Sequence, residues 1–100
     1  MDKLKVGFLT YAVKDFEGNE ADVRGVYGTQ NSSTQEIKLD SKVSKERKKE
    51  TFLHEILHAI WGQWITVEGA VEEEVAVRAL AIGLTTVFSD NPELKKELFG

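Results

Sequence analysis

Two kinds of apolar spacing divide this chain. In the N-terminal part the β-formers crowd together: Lys5 to Val13 (KVGFLTYAV) reads as a first strand. Asp15 to Asp22 is mostly polar, with Gly18 and Asn19 as turn residues. Val23 to Tyr27 reads as a second strand and Asn31-Ser32-Ser33-Thr34 as a hairpin loop. Gln35 to Leu39 alternates, with Ile37 and Leu39 on one face, the signature of a half-buried strand. The spacing then becomes helical. Ser41 or Ser44 can cap a helix running to about Gln63, on which Leu53, Leu57, Ile60 and Trp64 form one stripe flanked by Ile56 and Trp61. Gly62 and Gly69 bracket a short connection. A second helix is expected from about Ala70 to Phe88, with Val77, Leu80, Ala81, Leu84 and Val87 on its core face. Asn91 followed by Pro92 reads as the cap and first turn of a short last helix, Asn91 to Leu98. Strands first and helices after predict an α+β fold, a small mainly antiparallel β-sheet packed against helices.

Composition narrows the function more than the fold. One hundred residues suffice for a single domain, expected over 1–100, with a small core. The formal net charge of −4 leaves no basic footprint for nucleic acid. There is no cysteine, which excludes disulfides and thiolate-ligated zinc. Met1 to Leu9 lacks the apolar stretch of a signal peptide, and no apolar run is long enough to span a bilayer. The expectation is a cytoplasmic protein that engages neither nucleic acid nor membrane.

The chemistry is concentrated in Thr51-Phe52-Leu53-His54-Glu55-Ile56-Leu57-His58, an HExxH motif inside the first predicted helix. Residues four apart on a helix lie about 40° apart around its axis, so the two imidazoles point the same way and can grip one zinc ion. Glu55, beside His54, is placed to take a proton from a water at the metal, the general-base position of such sites. The chain holds only two histidines, both in the motif, so it cannot supply a third imidazole ligand. A metzincin pattern would need glycine at position 61 and histidine at position 64, and both are tryptophan. The third ligand is therefore expected to be a carboxylate. Glu72-Glu73-Glu74 opens the second predicted helix, and Glu73 falls on the same face as Val77, Leu80 and Leu84. Glu73 is the expected ligand, with Glu74 second. A first-turn acidic cluster also complements the helix dipole, which accounts for the other glutamates. Lys42 to Lys49 (KVSKERKK) reads as a solvated face, with charge steering of an acidic substrate segment as its alternative role.

The segment SKERKKETFLHEILHAIW (Ser44 to Trp61), followed by EEEVAVRALAIGL and DNPEL, resembles the minimal gluzincin-type metallopeptidases of phages and prophages, relatives of the ImmA/IrrE metallopeptidases. The resemblance runs from about Gly25 to Leu94. It implies a small sheet beside an active-site helix, with His54 and His58 as zinc ligands, Glu55 as catalytic base and one of Glu72 to Glu74 as third ligand. It also implies that Gln35 to Leu39 is the edge strand along which an extended peptide lies. The chain departs from larger members in having no recognition or DNA-binding domain, and it has Val75 and Ala76 where an asparagine often follows the third ligand.

The expected activity is a zinc-dependent hydrolysis of a peptide bond in a peptide or protein substrate, with Tyr27, Tyr11 or Arg78 as donor to the oxyanion. The alternatives are a zinc-binding interaction module that keeps the fold with little or no turnover, and a structural zinc domain.

Overall fold

The structure, a computed structural model, describes residues 1–65 and 70–100. Its elements are β1 (Lys3–Val6), β2 (Leu9–Asp15), α1 (Glu20–Arg24), β3 (Gly28–Asn31), β4 (Glu36–Leu39), α2 (Lys45–Trp64), α3 (Glu73–Asp90) and α4 (Leu94–Phe99). The four strands form one sheet in the order β1-β2-β4-β3. β1 and β2, and likewise β4 and β3, pair antiparallel, while β2 and β4 pair parallel. This is the α+β fold that the sequence predicts. Among the described residues no helix is long and apolar enough to cross a membrane.

The sheet buries one face. Leu4, Val6, Tyr11, Ile37 and Leu39 point into the core, where they meet Phe52, Ile56, Ala59 and Ile60 of α2 and Val87 of α3. The opposite face carries Lys3, Lys5, Lys14 and Lys38, by the alternation of the register. Ile56 and Ile60 are fully buried, so truncating either to alanine removes about 2–5 kcal/mol of stability.

Three strand boundaries differ from the pattern reading, each for a local reason. The run Lys5–Val13 is broken into a hairpin at Gly7, whose φ of +60° suits the first position of a two-residue turn. The site of its absent Cβ is filled by Gln63, whose side chain accepts a hydrogen bond from the Phe8 N–H and donates one to the Val6 carbonyl. Val23–Tyr27 is not a strand. Glu20–Arg24 forms a short helix that buries Ala21, and Gly25 ends it in the left-handed conformation with its N–H bonded back to Ala21 and Asp22. The strand that follows is Gly28–Asn31. As a result, the strand at Gln35–Leu39 lies between β2 and β3 and is not an edge. The open edge beside α2 is β3. The outer loop is as expected, with Asn31 accepting from the N–H groups of Ser33 and Thr34.

The other edge is covered. Asn91 is not the cap of the last helix. It sits at the C-terminal end of α3, accepts from the Lys5 N–H at 2.9 Å and donates to the Lys5 carbonyl at 2.8 Å, so one carboxamide satisfies both peptide groups of a residue on β1. A second donation ties it to the Val87 carbonyl.

Helix α2 starts where Ser44 accepts from the Arg47 N–H. Its buried face is centred on Phe52, Ile56, Ala59 and Ile60, while Leu53, Leu57 and Trp64 are marginal and Trp61 is largely open. The larger revision concerns α3. Of its expected core face, Val87 is fully buried and Leu80 and Leu84 pack against the core, but Val77 is 52% exposed and Ala81 is also exposed, while Ala79 and Gly83 are buried in their place. The reason is a close helix approach: a Cβ on Gly83 would collide with Ile60 of α2. Gly69, expected to close the connection between the two helices, lies outside the described residues.

Replacing Gly83 by alanine tests this contact. Helix propensity alone would favour alanine by about 1 kcal/mol. The collision with Ile60 costs about 1–3 kcal/mol. The expected result in urea unfolding is that alanine brings no gain and a net loss of stability of about 0–2 kcal/mol, against the gain of about 1 kcal/mol that propensity alone would give.

Candidate metal centre

The central part of α2 presents three different surfaces. Phe52, Ile56, Ala59 and Ile60 enter the core. Thr51 and Glu55, a quarter-turn away, press against the edge strand at Gly28, where a Cβ would lie 2.6 Å from the Thr51 methyl carbon and 3.3 Å from Glu55 Cγ. His54 and His58 are exposed on the side facing away from the core. Only glycine lets β3 come this close to α2, so the sequence step Tyr27-Gly28 sets how deeply Glu55 is held.

The two imidazoles are brought together as expected. Their Nε2 atoms are 3.1 Å apart, and the rings meet edge to face with centroids 4.8 Å apart. Two nitrogens each about 2.0–2.1 Å from one Zn²⁺ can be separated by up to about 4 Å, so the observed spacing fits a shared zinc ion. The same spacing also permits one ring to donate to the other when their tautomers differ.

Glu55 is only 7% exposed. Burial pushes its carboxyl above the usual carboxylate pKa, and the neighbouring His54 and His58 oppose that shift. The carboxyl thus senses both imidazoles without joining them as a ligand. It borders a cleft of about 280 Å³ lined also by Val26, Tyr27, Gly28, Glu50, Thr51 and His54. A second cleft of about 280 Å³ opens on the other side of His54, between Leu57, His58 and Trp61.

The third ligand is the part of the sequence expectation that is not assembled. Among the described residues no three His, Asp or Glu side chains are grouped to hold a metal ion. Glu73 is exposed in the first turn of α3, away from the centre of the helix's buried face. Its expected position followed from a face running through Val77, and the Gly83–Ile60 contact rotates that face toward Ala79. Glu72 and Glu74 line a different groove, with Trp64, Val75, Arg78, Ala79 and Ile82.

Of the three expected oxyanion donors, Tyr27 alone borders the cleft beside His54 and Glu55. It is 53% exposed, with the Arg47 guanidinium 5.2 Å from its ring centroid. Tyr11 is buried in the core, its hydroxyl accepting from Gln30 at 2.9 Å, and burial raises its pKa. Arg78 lines the groove of Glu72 and Glu74. The sequence held one clue to Tyr27, the glycine directly after it that admits the edge strand to the helix.

Glu55 also gives a pH signature. Its pKa in the folded protein is raised above the unfolded value, so its contribution favours folding below the ordinary carboxylate pKa and is lost as pH rises through the folded value. In metal-free protein, Glu55→Gln is therefore expected to be more stable than the parent at pH 7, with the difference shrinking toward pH 4. Thermal unfolding across that range checks it, and a stability difference that grows on acidification would contradict it.

Comparison with family models, with curated proteins and with solved structures finds no match to this chain.

Proposed function

We propose that the protein is a zinc-dependent peptidase in which His54 and His58 hold the metal and Glu55 handles the proton. The observation that carries this reading is the pair of exposed imidazole nitrogens 3.1 Å apart, one residue from a buried carboxyl of raised pKa. Zn²⁺ bound by such a pair supplies Lewis acidity and makes a water easier to deprotonate near neutral pH. The chain's own groups do the rest. Glu55, its proton affinity raised by burial, accepts a proton from the attacking water and returns it to the leaving amine. Tyr27, at the mouth of the same cleft, donates to the oxygen that gains negative charge. The open edge of β3, which runs beside α2, suits main-chain pairing with an extended peptide. Glu73 is the carboxylate proposed to complete the ligand set, ahead of Glu74. With neither a basic footprint nor a long apolar helix among the described residues, the proposed setting is the cytoplasm and the proposed partner a peptide or protein substrate.

The separation of Glu73 from the imidazoles favours a second reading, a zinc-binding interaction module with little or no turnover. The two readings share the metal and differ in chemistry.

Zinc uptake and cleavage of unstructured peptides separate them. Stoichiometric uptake is expected for the parent and for Glu55→Gln, with loss in His54→Ala and in His58→Ala. Cleavage is expected in the parent, to fall about 100- to 10,000-fold in Glu55→Gln. Uptake without any cleavage by the parent selects the interaction module, and absence of uptake removes both readings. Tyr27→Phe is expected to lower kcat by about 100-fold or more with KM nearly unchanged, the pattern of a group engaged only in the transition state. Glu73→Ala is expected to weaken zinc uptake more than Glu74→Ala does, as read by competition with a chromogenic chelator.

A further inference from the structure

On α2 the charges stop where the histidines begin. Every residue from Lys45 to Glu50 is charged, whereas from Thr51 to Ile65 the only acidic or basic residue besides the two histidines is Glu55, which is buried. The exposed positions of that second stretch are His54, His58, Trp61 and Gly62. The clefts on either side of His54 are bordered by Trp61, 41% exposed, and by Tyr27 and Val26, 53% and 38% exposed. An exposed helical turn without fixed charge, ringed by open apolar side chains, has the composition of the centre of an interface and not that of a solvated face.

The imidazole pair states what kind of cover it needs. Zinc in a closed protein site takes four ligands in a tetrahedron. This chain brings two, and among the described residues no third His, Asp or Glu joins them. The two carboxylates nearest the pair on α2 are engaged elsewhere: Glu50, one turn before His54, meets Arg47 at 2.8 Å, and Glu55 is pressed against Gly28. The Nε2 atoms are 3.1 Å apart, close to the edge of about 3.3 Å in a tetrahedron with Zn–N bonds of about 2.0–2.1 Å. One edge of such a tetrahedron is thus present on one chain. A twofold axis supplies an equal, opposite edge from an identical chain, because an isologous contact repeats each residue once.

We propose that two copies of this chain share one zinc ion, each giving His54 and His58. The inference rests on the reading of those histidines as metal ligands, and it names a partner for the same site. Opposite edges of a tetrahedron are perpendicular, and the imidazole pair runs along α2, so the two helices cross at a steep angle. A steep crossing confines the contact to about one turn of each helix, with Trp61 and Tyr27 of both copies around the metal. That apolar contact is small against the roughly 800 Å² per partner of a stable interface, so the pair forms only with zinc. Four imidazoles leave no position for water. The shared form is therefore the closed, resting state of the proposed peptidase, opened by dilution or by zinc in excess.

The test reads mass and stoichiometry and needs no turnover. Sedimentation of the full chain is followed as zinc is added to metal-free protein. The expected result is a doubling of mass, complete at one ion per two chains and reversed by EDTA. It is lost in His54→Ala and in His58→Ala, whose exposed side chains lie outside the core. Cobalt in place of zinc is expected to give the intense visible bands of a four-coordinate ion, saturating at the same ratio. Trp61→Ala keeps all four imidazoles and is expected to weaken the association by about 10-fold or more. Zinc taken up one per chain from the first addition, with mass unchanged, overturns the sharing and leaves the metal reading standing. A doubling that occurs equally without zinc, or that persists in His58→Ala, also overturns the sharing. Association as tight in Trp61→Ala as in the parent overturns the placement of the apolar ring at the contact. Where the parent takes up no zinc at all, the metal reading fails, and the sharing with it.

Discussion

The close contact of Gly28 with Thr51 and Glu55 governs how the sheet and the site relate. An edge strand normally keeps a side chain's distance from a helix that crosses it. Here the missing Cβ removes that spacer, and β3 settles onto α2 beside the HExxH segment. The approach has two consequences that pull in opposite directions. It encloses Glu55 enough to raise its proton affinity, which makes it a stronger proton acceptor than an exposed carboxylate. It also places a carboxyl where burial penalises its charge, a cost that the neighbouring His54 and His58 partly oppose. A fold selected for stability alone would put an apolar residue or glutamine at this position.

A single amphipathic helix accounts for most of this arrangement. The core-facing row of α2 is fixed by Phe52, Ile56, Ala59 and Ile60, and a row on the far side of the cylinder must then face solvent. His54 and His58 occupy that far row, so their exposure follows from the burial of Ile56. Glu55 lies between the two, neither in the core row nor in the exposed row. The motif's spacing thus does more than bring two imidazoles to one side. It also distributes three chemical requirements, anchoring, proton affinity and access, over three sides of the same turn.

What the sequence made legible divides along this line. The motif, the cap at Ser44, the paired imidazoles and the strand at Ile37 and Leu39 follow from local periodicity, and periodicity reads each of them. The hairpin at Gly7 and the helix ended by Gly25 were hidden because each depends on one glycine with positive φ inside a run of β-formers. Local periodicity does not show which strand is the edge, because strand order depends on pairing between segments far apart in the chain. The phase of α3 was the costliest loss. Hydrophobic pattern puts Val77 and Ala81 inward in place of Ala79 and Gly83, yet helices approach most closely where side chains are smallest. The contact of Gly83 with Ile60 turns large apolar residues outward and takes Glu73 with them.

That rotation bears directly on the metal site we propose. Two imidazoles on one helix are held at fixed spacing by backbone hydrogen bonds, so their half of a site exists whether or not anything binds. A carboxylate from a second helix has no such guarantee, because its position depends on the packing between helices. Glu55 and the histidines are therefore set by local structure, whereas Glu73 is set by the Gly83–Ile60 contact. A half-site of this kind separates binding from catalysis in physical terms. In the proposed site the imidazole pair would decide whether a cation is attracted, the proton affinity of Glu55 whether a water there could be used, and the packing of α3 whether the coordination would close. The first two are properties of one turn of α2, and the third belongs to the whole fold.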